Sequence, residues 1–244
     1  QTAAMLAPYE GTAAELGILM MDAEEIYEHA RLAAENGLSM AVHAIGDRAV
    51  HEILDAYEHL RNYERQNLGS PDLRHRIEHV QVIHPEDAGR LAELGVIASM
   101  QPLHATSDMY MADHHWGNRA ALSYAWRTQL QSGARLALGS DAPVESPNPF
   151  LGLHAAVTRR RADGSPGEQG WYPEQRLSIQ EALQGYTTGP AYAAGMEERL
   201  GKLAPGYLAD LIVLDTDPFQ CDPHQLQHIS PLRTMVGGRW VYTR

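Results

Sequence analysis

The chain has 244 residues, of which 44% are apolar and 20% are charged, a composition typical of a folded enzyme and too apolar for a disordered chain. Its 31 acidic and 19 basic side chains give a net charge of -12, which disfavours binding to the phosphate backbone of nucleic acids. No apolar run is long enough to span a membrane, and a single cysteine, Cys221, excludes a disulfide within the chain.

Helices and strands alternate along the first two thirds of the sequence. Asp22 and Glu25 have the spacing of a capping box, which predicts a helix that ends at Gly37. The apolar run 38–46 then predicts a buried parallel strand. Three further strands are predicted after helical segments, within LRHRIEHVQVI, VIASMQP and RLALGSDAP. This alternation predicts a parallel sheet, either in a doubly wound fold or in part of a (βα)₈ barrel.

Two other segments have a different pattern. A long loop is predicted over 103–118, where it would form a wall or lid of a site. The C-terminal segment predicts antiparallel strands, with a hairpin turn at Gly237 and Gly238. We therefore predict two domains, an α/β domain over 1–195 and a small β unit over 196–244.

Four chemically active side chains follow the predicted parallel strands. They are His43, His79, Gln101 and Asp141. Carboxyl ends of parallel strands meet at one edge of a sheet, so these side chains are expected to lie close together. Imidazole and carboxylate groups are the ligands that zinc prefers, although a histidine considered alone is more often structural. The coincidence of His43, His79 and Asp141 at strand ends predicts a metal site.

Weaker candidates for substrate contacts surround these ligands. Arg48 lies at a predicted helix start, where it would reach a substrate oxygen or form a structural ion pair. Gln101 follows a strand, and His104 is the most plausible substrate contact within the predicted loop. The arginine run 159–161 is predicted to be an exposed helix end rather than a binding patch.

The motifs VHAIGDRAV, RIEHVQ, SMQP, LGSDAPV and GKLAPGYLADLIVLD occur in this order. Together they resemble the metal-dependent amidohydrolase superfamily, and more narrowly its subgroup that includes N-substituted formamide deformylase. The resemblance implies a (βα)₈ barrel of the triosephosphate isomerase type with a small β-sandwich. It also implies hydrolysis of a non-peptide carbon–nitrogen bond with one or two divalent ions, zinc being the first expectation.

The resemblance also assigns roles to individual residues. The family's ligands are an HxH pair on strand one, a carboxylated lysine or a carboxylate on strand four, single histidines on strands five and six, and an aspartate on strand eight. By motif, His43 corresponds to strand five, His79 to strand six and Asp141 to strand eight. Asp141 would also be catalytic, taking a proton from the attacking water and delivering it to the departing nitrogen.

The sequence departs from the family pattern in its first half. It has no HxH pair in an apolar strand, because His114 and His115 are adjacent, and its only lysine, Lys202, falls in the sandwich motif. The chain therefore resembles the C-terminal half of such an enzyme, with strands five to eight of the barrel.

Two alternatives to this hydrolase stay open. One is an inactive half-barrel that works only by assembly with a missing half or with another copy, and the other is a metal-dependent isomerase. The expected partners are a small amide-like substrate and, for assembly, a second copy or the missing N-terminal half. No nucleic acid and no membrane are expected, and the expected location is the cytoplasm.

Overall fold

The computed structural model describes residues 2–69 and 71–244. The described chain divides into two compact units, one formed by 1–100 with 108–136 and the other by 101–107 with 137–244. The predicted boundary between residues 195 and 196 stays a prediction. Within the described ranges, none of the helices combines the length and the apolar character that a membrane span requires.

Two long helices begin the first unit. Helix α1 spans Ala23–Glu35, and its N-terminus carries the predicted capping box of Asp22 and Glu25. Helix α2 spans Asp47–Asn67 and packs against α1. Both helices bury an apolar face and expose a charged one, as their hydrophobic spacing predicts. The apolar face of α2 consists of these buried side chains: Val50, Ile53, Leu54, Ala56, Tyr57 and Leu60.

The central sheet is parallel, as the alternating pattern predicts. Its strands are β1 (Ala41–His43), β2 (Arg76–Glu78), β3 (Ile97–Met100) and β4 (Leu136–Leu138), in the order β1-β2-β3-β4. Strand β1 pairs in parallel with β2, and β2 pairs in parallel with β3. In this register His43 lies opposite Glu78, so the carboxyl ends of β1 and β2 lie side by side.

Between β2 and β3 lie a short 3₁₀ helix, Pro85–Asp87, and helix α3, Arg90–Glu93. Helix α5, Trp126–Ser132, precedes β4 and ends at Gly133, which has a left-handed conformation. Residues Gly117–Leu122, before α5, form a 3₁₀ helix. The two helices are separated at Tyr124, whose φ of 49° is incompatible with a continuous helix.

The predicted loop over 103–118 is wrong. Pro102–Trp116 forms helix α4, and Pro102 occupies the first helical position, where a missing amide hydrogen costs nothing. The apolar residues Ala105, Met109, Ala112 and Trp116 recur at spacings of four, three and four and are almost fully buried. The interspersed polar residues hide this helical spacing in the sequence. His114 and His115 consequently lie in the last turn of a helix and not in a loop.

Helices α6 (Pro149–Thr158), α7 (Ile179–Tyr186) and α8 (Thr188–Ala193) belong to the second unit. The prediction of an exposed arginine run after α6 is wrong for Arg159. Arg159 is 0% exposed, its Nε donates to the carbonyl of Trp171 at 2.6 Å, and its guanidinium lies over the Trp171 ring at 4.7 Å. The apolar ring and the carbonyl compensate the desolvation of the charge.

His154 is a buried histidine on α6 that no pattern in the sequence indicates. Burial, together with electrostatic interactions with the nearby His224, Arg160 and His228, lowers the pKa of His154 to about 4. The ring of His224 lies 6.0 Å from that of His154, in the 3₁₀ helix Pro223–His228 that packs against α6. His154 is therefore neutral at neutral pH and is part of the packing of this helix pair.

The C-terminal segment forms a separate antiparallel sheet, as predicted. Its strands are β5 (Leu211–Leu214), β6 (Pro231–Val236) and β7 (Arg239–Thr243), in that order. The turn between β6 and β7 consists of Gly237 and Gly238, which both have positive φ values. The hairpin is the kind that two glycines favour.

A buried polar group lies beneath the amino-terminal end of β2. The His75 ring accepts a hydrogen bond from the Met40 amide at Nδ1 and donates from Nε2 to Glu64 at 2.8 Å. Arg61 donates to the other Glu64 oxygen at 2.7 Å. Burial tends to raise the pKa of the Glu64 carboxyl, but the bonds from His75 and Arg61 outweigh burial and hold the pKa below its usual value.

We expect Glu64→Gln to lower the free energy of unfolding by about 3 kcal/mol at pH 7, because it leaves buried donors with a poorer acceptor. A carboxyl with a lowered folded pKa stabilises the fold above its unfolded pKa, near 4.3, and this contribution is lost as pH falls through the folded value. The difference between the wild type and the variant should therefore shrink in urea denaturation below about pH 4. Glu86→Gln, at an exposed carboxyl, is the control, and an equal difference at pH 7 and pH 3 would contradict the assignment.

Candidate metal centre

The first unit places two predicted ligands, His43 and His79, side by side. His43 is the last residue of β1, and His79 follows directly after β2, so both side chains lie at the same edge of the sheet. Their ring centroids are 4.5 Å apart and the rings are inclined at 75°. Sequence reasoning could find this pair because carboxyl ends of neighbouring parallel strands must meet. Its role in metal binding stays a prediction.

The backbone after β1 explains the glycine in the HAIGD motif. Gly46 has a φ of 108°, and a Cβ placed there would lie 2.0 Å from the carbonyl oxygen of Ala4. The amide of Arg48 donates to the same carbonyl at 3.1 Å, and the amide of Leu6 donates to Asp47 at 2.8 Å. Only glycine fits this close approach, which fixes the chain directly after His43.

The backbone at His79 is strained. His79 and Val80 have φ values of 76° and 44°, a conformation that side chains other than glycine rarely adopt. Such a residue costs on the order of 1–3 kcal/mol, and residues of this kind concentrate at functional sites. The amide of His79 donates to the carbonyl of Ser99 on β3 at 2.7 Å. The surrounding structure therefore holds His79 in a conformation that the isolated chain would avoid.

Arg48 lies in the first turn of α2, as predicted, and is held there by a neighbour. Its Nε lies 3.4 Å from Glu52 Oε1, and the other Glu52 oxygen accepts the amide of Ala23 at the start of α1. This geometry agrees with the structural ion pair that the sequence leaves open. A substrate contact by Arg48 stays a prediction.

The second unit holds another pair, His104 and Asp141. His104 Nε2 lies 3.8 Å from Asp141 Oδ2, with 13% of the histidine side chain and 40% of the aspartate side chain exposed. The distance is longer than a hydrogen bond but within the range of an ion pair when the histidine is protonated. Asp141 has a φ of 55° in the turn that follows β4, and its carbonyl accepts the amide of Val144.

Three hydrogen bonds within the second unit fix the start of α4, on which His104 lies. Arg161 donates from Nε to the carbonyl of Thr106 at 2.7 Å and from a terminal nitrogen to the carbonyl of Ser107 at 2.9 Å. Ser107 Oγ donates to Glu145 Oε1 at 2.5 Å, in the same loop as Asp141. The helix start and the loop after β4 are thereby joined, which sets the distance between His104 and Asp141.

Gln101 immediately precedes α4 and is buried, and its carbonyl accepts the amide of His104 at 3.1 Å. Its place is therefore at the end of β3, as the sequence predicts. Gln101 as a contact to substrate stays a prediction. A substrate contact by His104 also stays a prediction.

Close packing behind β4 supports the strand that leads to Asp141. Tyr186, on α7, places its hydroxyl 3.5 Å from the carbonyl of Gly139. A Cβ on Gly152 of α6 would lie 1.8 Å from this hydroxyl, and one on Gly185 would lie 2.6 Å from Leu138. Glycines at both positions let α6 and α7 approach the strand this closely.

The donor chemistry of these pairs fits a divalent metal ion. Neutral imidazole nitrogens and carboxylate oxygens bind zinc at about 2.0–2.2 Å. His43 and His79 offer imidazole nitrogens on two rings whose centroids are 4.5 Å apart. The two histidines belong to the first unit, whereas His104 and Asp141 belong to the second. The prediction that Asp141 joins His43 and His79 connects the two units and stays a prediction.

Comparison with known proteins identifies the class. The model of the Amidohydrolase family matches residues 1–242, and the chain belongs to this family. The resemblance seen in the ordered motifs is thereby confirmed.

Individual relatives agree with this assignment. The chain is 37% identical to Protein LONG AFTER FAR-RED 3 of Arabidopsis thaliana, over 96% of this chain and 39% of that protein. It is 29% identical to N-substituted formamide deformylase of Arthrobacter pascens, over 97% of this chain and 42% of that protein. The chain thus spans about two fifths of the length of the curated relatives it matches.

A solved structure supports the fold. An uncharacterized metal-dependent hydrolase from Pyrococcus horikoshii OT3 superimposes with a TM-score of 0.78 at 31% identity. The superposition covers 91% of this chain and 43% of that one. The fold, which contains one parallel and one antiparallel sheet, is therefore similar to that of a metal-dependent hydrolase.

Proposed function

We propose that the chain is part of a metal-dependent hydrolase that cleaves a non-peptide carbon–nitrogen bond in a small amide-like or formamide-like substrate. The observation that carries the proposal is the pair of imidazoles, His43 and His79, 4.5 Å apart at the ends of neighbouring parallel strands. Membership of the Amidohydrolase family supports hydrolysis in general. Similarity to N-substituted formamide deformylase supports the narrower class of bond.

We propose His43, His79 and Asp141 as ligands of one or two divalent ions, with zinc preferred because its usual ligands are imidazole and carboxylate. Held by these residues, such an ion would polarise the substrate carbonyl and lower the pKa of a bound water to about 7. The strained backbone at His79 is consistent with this role, since strained residues of this kind concentrate at functional sites.

The side chain of Asp141 is proposed to handle the proton. Its carboxylate accepts the proton from the attacking water and later delivers it to the departing nitrogen, which would otherwise leave as an unstable anion. His104 lies 3.8 Å from that carboxylate and is placed to orient it or to contact the substrate. The exposed position of Asp141 gives both water and substrate access to it.

The architecture of the whole protein is part of the same proposal. The four parallel strands would be strands five to eight of a (βα)₈ barrel, and the strands between Leu211 and Thr243 would be part of a small β-sandwich. The span of about two fifths of the relatives' length supports this proposal. We therefore propose that activity requires the complete enzyme.

The test is an assay with N-substituted formamides and simple amides, using the chain within its complete enzyme. We expect release of amine and acid that is lost on dialysis against a strong chelator and restored by added zinc. A dipeptide serves as the control substrate and should be cleaved at least tenfold more slowly. Turnover unaffected by the chelator, or conversion of the substrate to an isomer, would contradict the proposal.

A further inference from the structure

We infer that Asp108 is a positioning residue for His79, an inference that rests on the proposed role of His79 as a metal ligand. Asp108 lies on α4 and, like His79, belongs to the first unit. It is not part of any motif that the sequence analysis singles out. Its importance follows from three features of the backbone and side chains around His79.

The first feature is the strain at His79 and Val80. His79 and Val80 are consecutive non-glycine residues with positive φ values, and both side chains are buried. At about 1–3 kcal/mol for each residue, the conformation persists only if contacts on either side prevent its relaxation to an ordinary strand. On the amino-terminal side the contact is the hydrogen bond from the His79 amide to Ser99.

The second feature is a short antiparallel bridge on the carboxyl-terminal side. The carbonyl of Gln81 accepts the amide of Tyr124 at 2.8 Å, and Val82 pairs with Ser123. The amide of Ile83 donates to the carbonyl of Leu122 at 3.3 Å. The chain just beyond His79 is therefore fixed to the segment that separates the 3₁₀ helix from α5.

The third feature is the link that Asp108 makes between the two sides of this bridge. Its Oδ2 accepts a hydrogen bond from Gln81 Nε2 at 3.1 Å and another from the Tyr124 hydroxyl at 2.5 Å. Gln81 and Tyr124 are 5% and 1% exposed, so both donors would be costly to leave without an acceptor. Hydrogen bonds to a carboxylate are stronger than those to a neutral group.

These features connect Asp108 to the proposed metal ligand His79 through Gln81 and Tyr124. The carboxylate fixes Gln81, which lies two positions after His79, and fixes the strand partner of Gln81 at the same time. Without this acceptor, the strained segment can relax and carry the His79 ring away from its position 4.5 Å from His43. Removing the Asp108 carboxylate should therefore lower the affinity for metal and not only the overall stability.

The test compares Asp108→Ala and Asp108→Asn with the wild type. Both hydrogen bonds end on one oxygen, so the amide oxygen of asparagine can accept them, whereas alanine removes the acceptor. The control is Asp113→Ala, which removes an exposed carboxylate from the same helix. The probe is cobalt(II), whose affinity and visible absorption spectrum report the ligand geometry. Amide hydrogen exchange at residues 79–83 measures how firmly this segment is held, and it does so without any bound metal.

We expect Asp108→Ala to weaken cobalt binding by about 10–100-fold, the range found when residues that orient metal ligands are removed. Exchange at residues 79–83 should become faster while exchange in α1 stays unchanged. Asp108→Asn should keep the cobalt affinity within about threefold of the wild type, because its amide oxygen can still accept both hydrogen bonds. Asp113→Ala should match the wild type in both measurements.

Unchanged exchange at 79–83 in Asp108→Ala would overturn the inference whether or not metal binds. Faster exchange with unchanged cobalt affinity would overturn it as well. If the wild type itself binds no cobalt, the proposed metal function fails and the inference falls with it. If Asp108→Ala does not fold, Tyr124→Phe removes one of the two bonds, and unchanged cobalt affinity in that variant would overturn the inference.

Discussion

Asp141→Asn should reduce kcat for amide hydrolysis by about a thousandfold, while the chain stays folded. The amide cannot accept the proton of the attacking water or deliver it to the departing nitrogen, and general acid–base catalysis of this kind contributes about 10²–10⁴. Asp141 is partly exposed in a turn, so replacing its carboxylate should cost little stability. The measurement is steady-state kinetics at saturating zinc, with thermal unfolding as the check on folding.

Glu198→Gln is the matched control for this variant. It neutralises an exposed carboxylate of the second unit and should leave kcat unchanged. Metal content must be measured on the same samples, since Asp141 is proposed as a ligand as well as a proton carrier. An Asp141→Asn enzyme with full zinc content and more than a tenth of wild-type kcat would contradict the assigned role.

Replacing His43 with alanine should weaken zinc binding by more than about 100-fold. Removing a residue that only orients a metal ligand costs about 10–100-fold, so removing a ligand itself should exceed that range. The His43 ring is one of the two imidazoles at the sheet edge, and its loss leaves His79 alone there. Competition with a chromophoric chelator measures the affinity, and the loss of bound zinc should reduce turnover in parallel.

The control for His43→Ala is His29→Ala, at an exposed histidine on α1. It separates specific binding from the weak affinity of surface imidazoles for zinc. Equal zinc affinity in His43→Ala, His29→Ala and the wild type would show that the imidazole pair is not the metal site.

The imidazole pair could be predicted from the sequence because it depends on a regular feature of parallel sheets. Each histidine lies at the end of a predicted strand, and the ends of neighbouring parallel strands necessarily meet. The capping box of Asp22 and Glu25 could be predicted for a similar reason, since it is a local pattern with a fixed spacing. In both cases the information lies within a few residues of the side chain concerned.

The environment of His104 could not be predicted. Its helix, α4, mixes apolar residues with polar ones such as His114 and His115. The buried face is therefore narrow, and the sequence pattern predicts a loop instead of a helix. The contacts that fix the start of this helix come from Arg161 and Glu145, far away in sequence. Such contacts form only in the folded chain and leave no local pattern.

The partners of two charged side chains were also hidden from sequence analysis. Arg159 lies in a run of three arginines, which normally indicates a solvated surface, yet it packs against Trp171 twelve residues later. Asp108 lies among polar helix residues and accepts hydrogen bonds from Gln81 and Tyr124. In each case the compensating partner is distant in sequence, so residue type alone predicts the wrong environment.

The most direct measurement is an anomalous diffraction map, recorded at the zinc absorption edge from crystals grown with zinc. We predict a peak at about 2.0–2.1 Å from one ring nitrogen of His43 and one of His79, the usual distance from zinc to imidazole. A map with full-occupancy zinc elsewhere, and none within bonding distance of these two rings, would contradict the account.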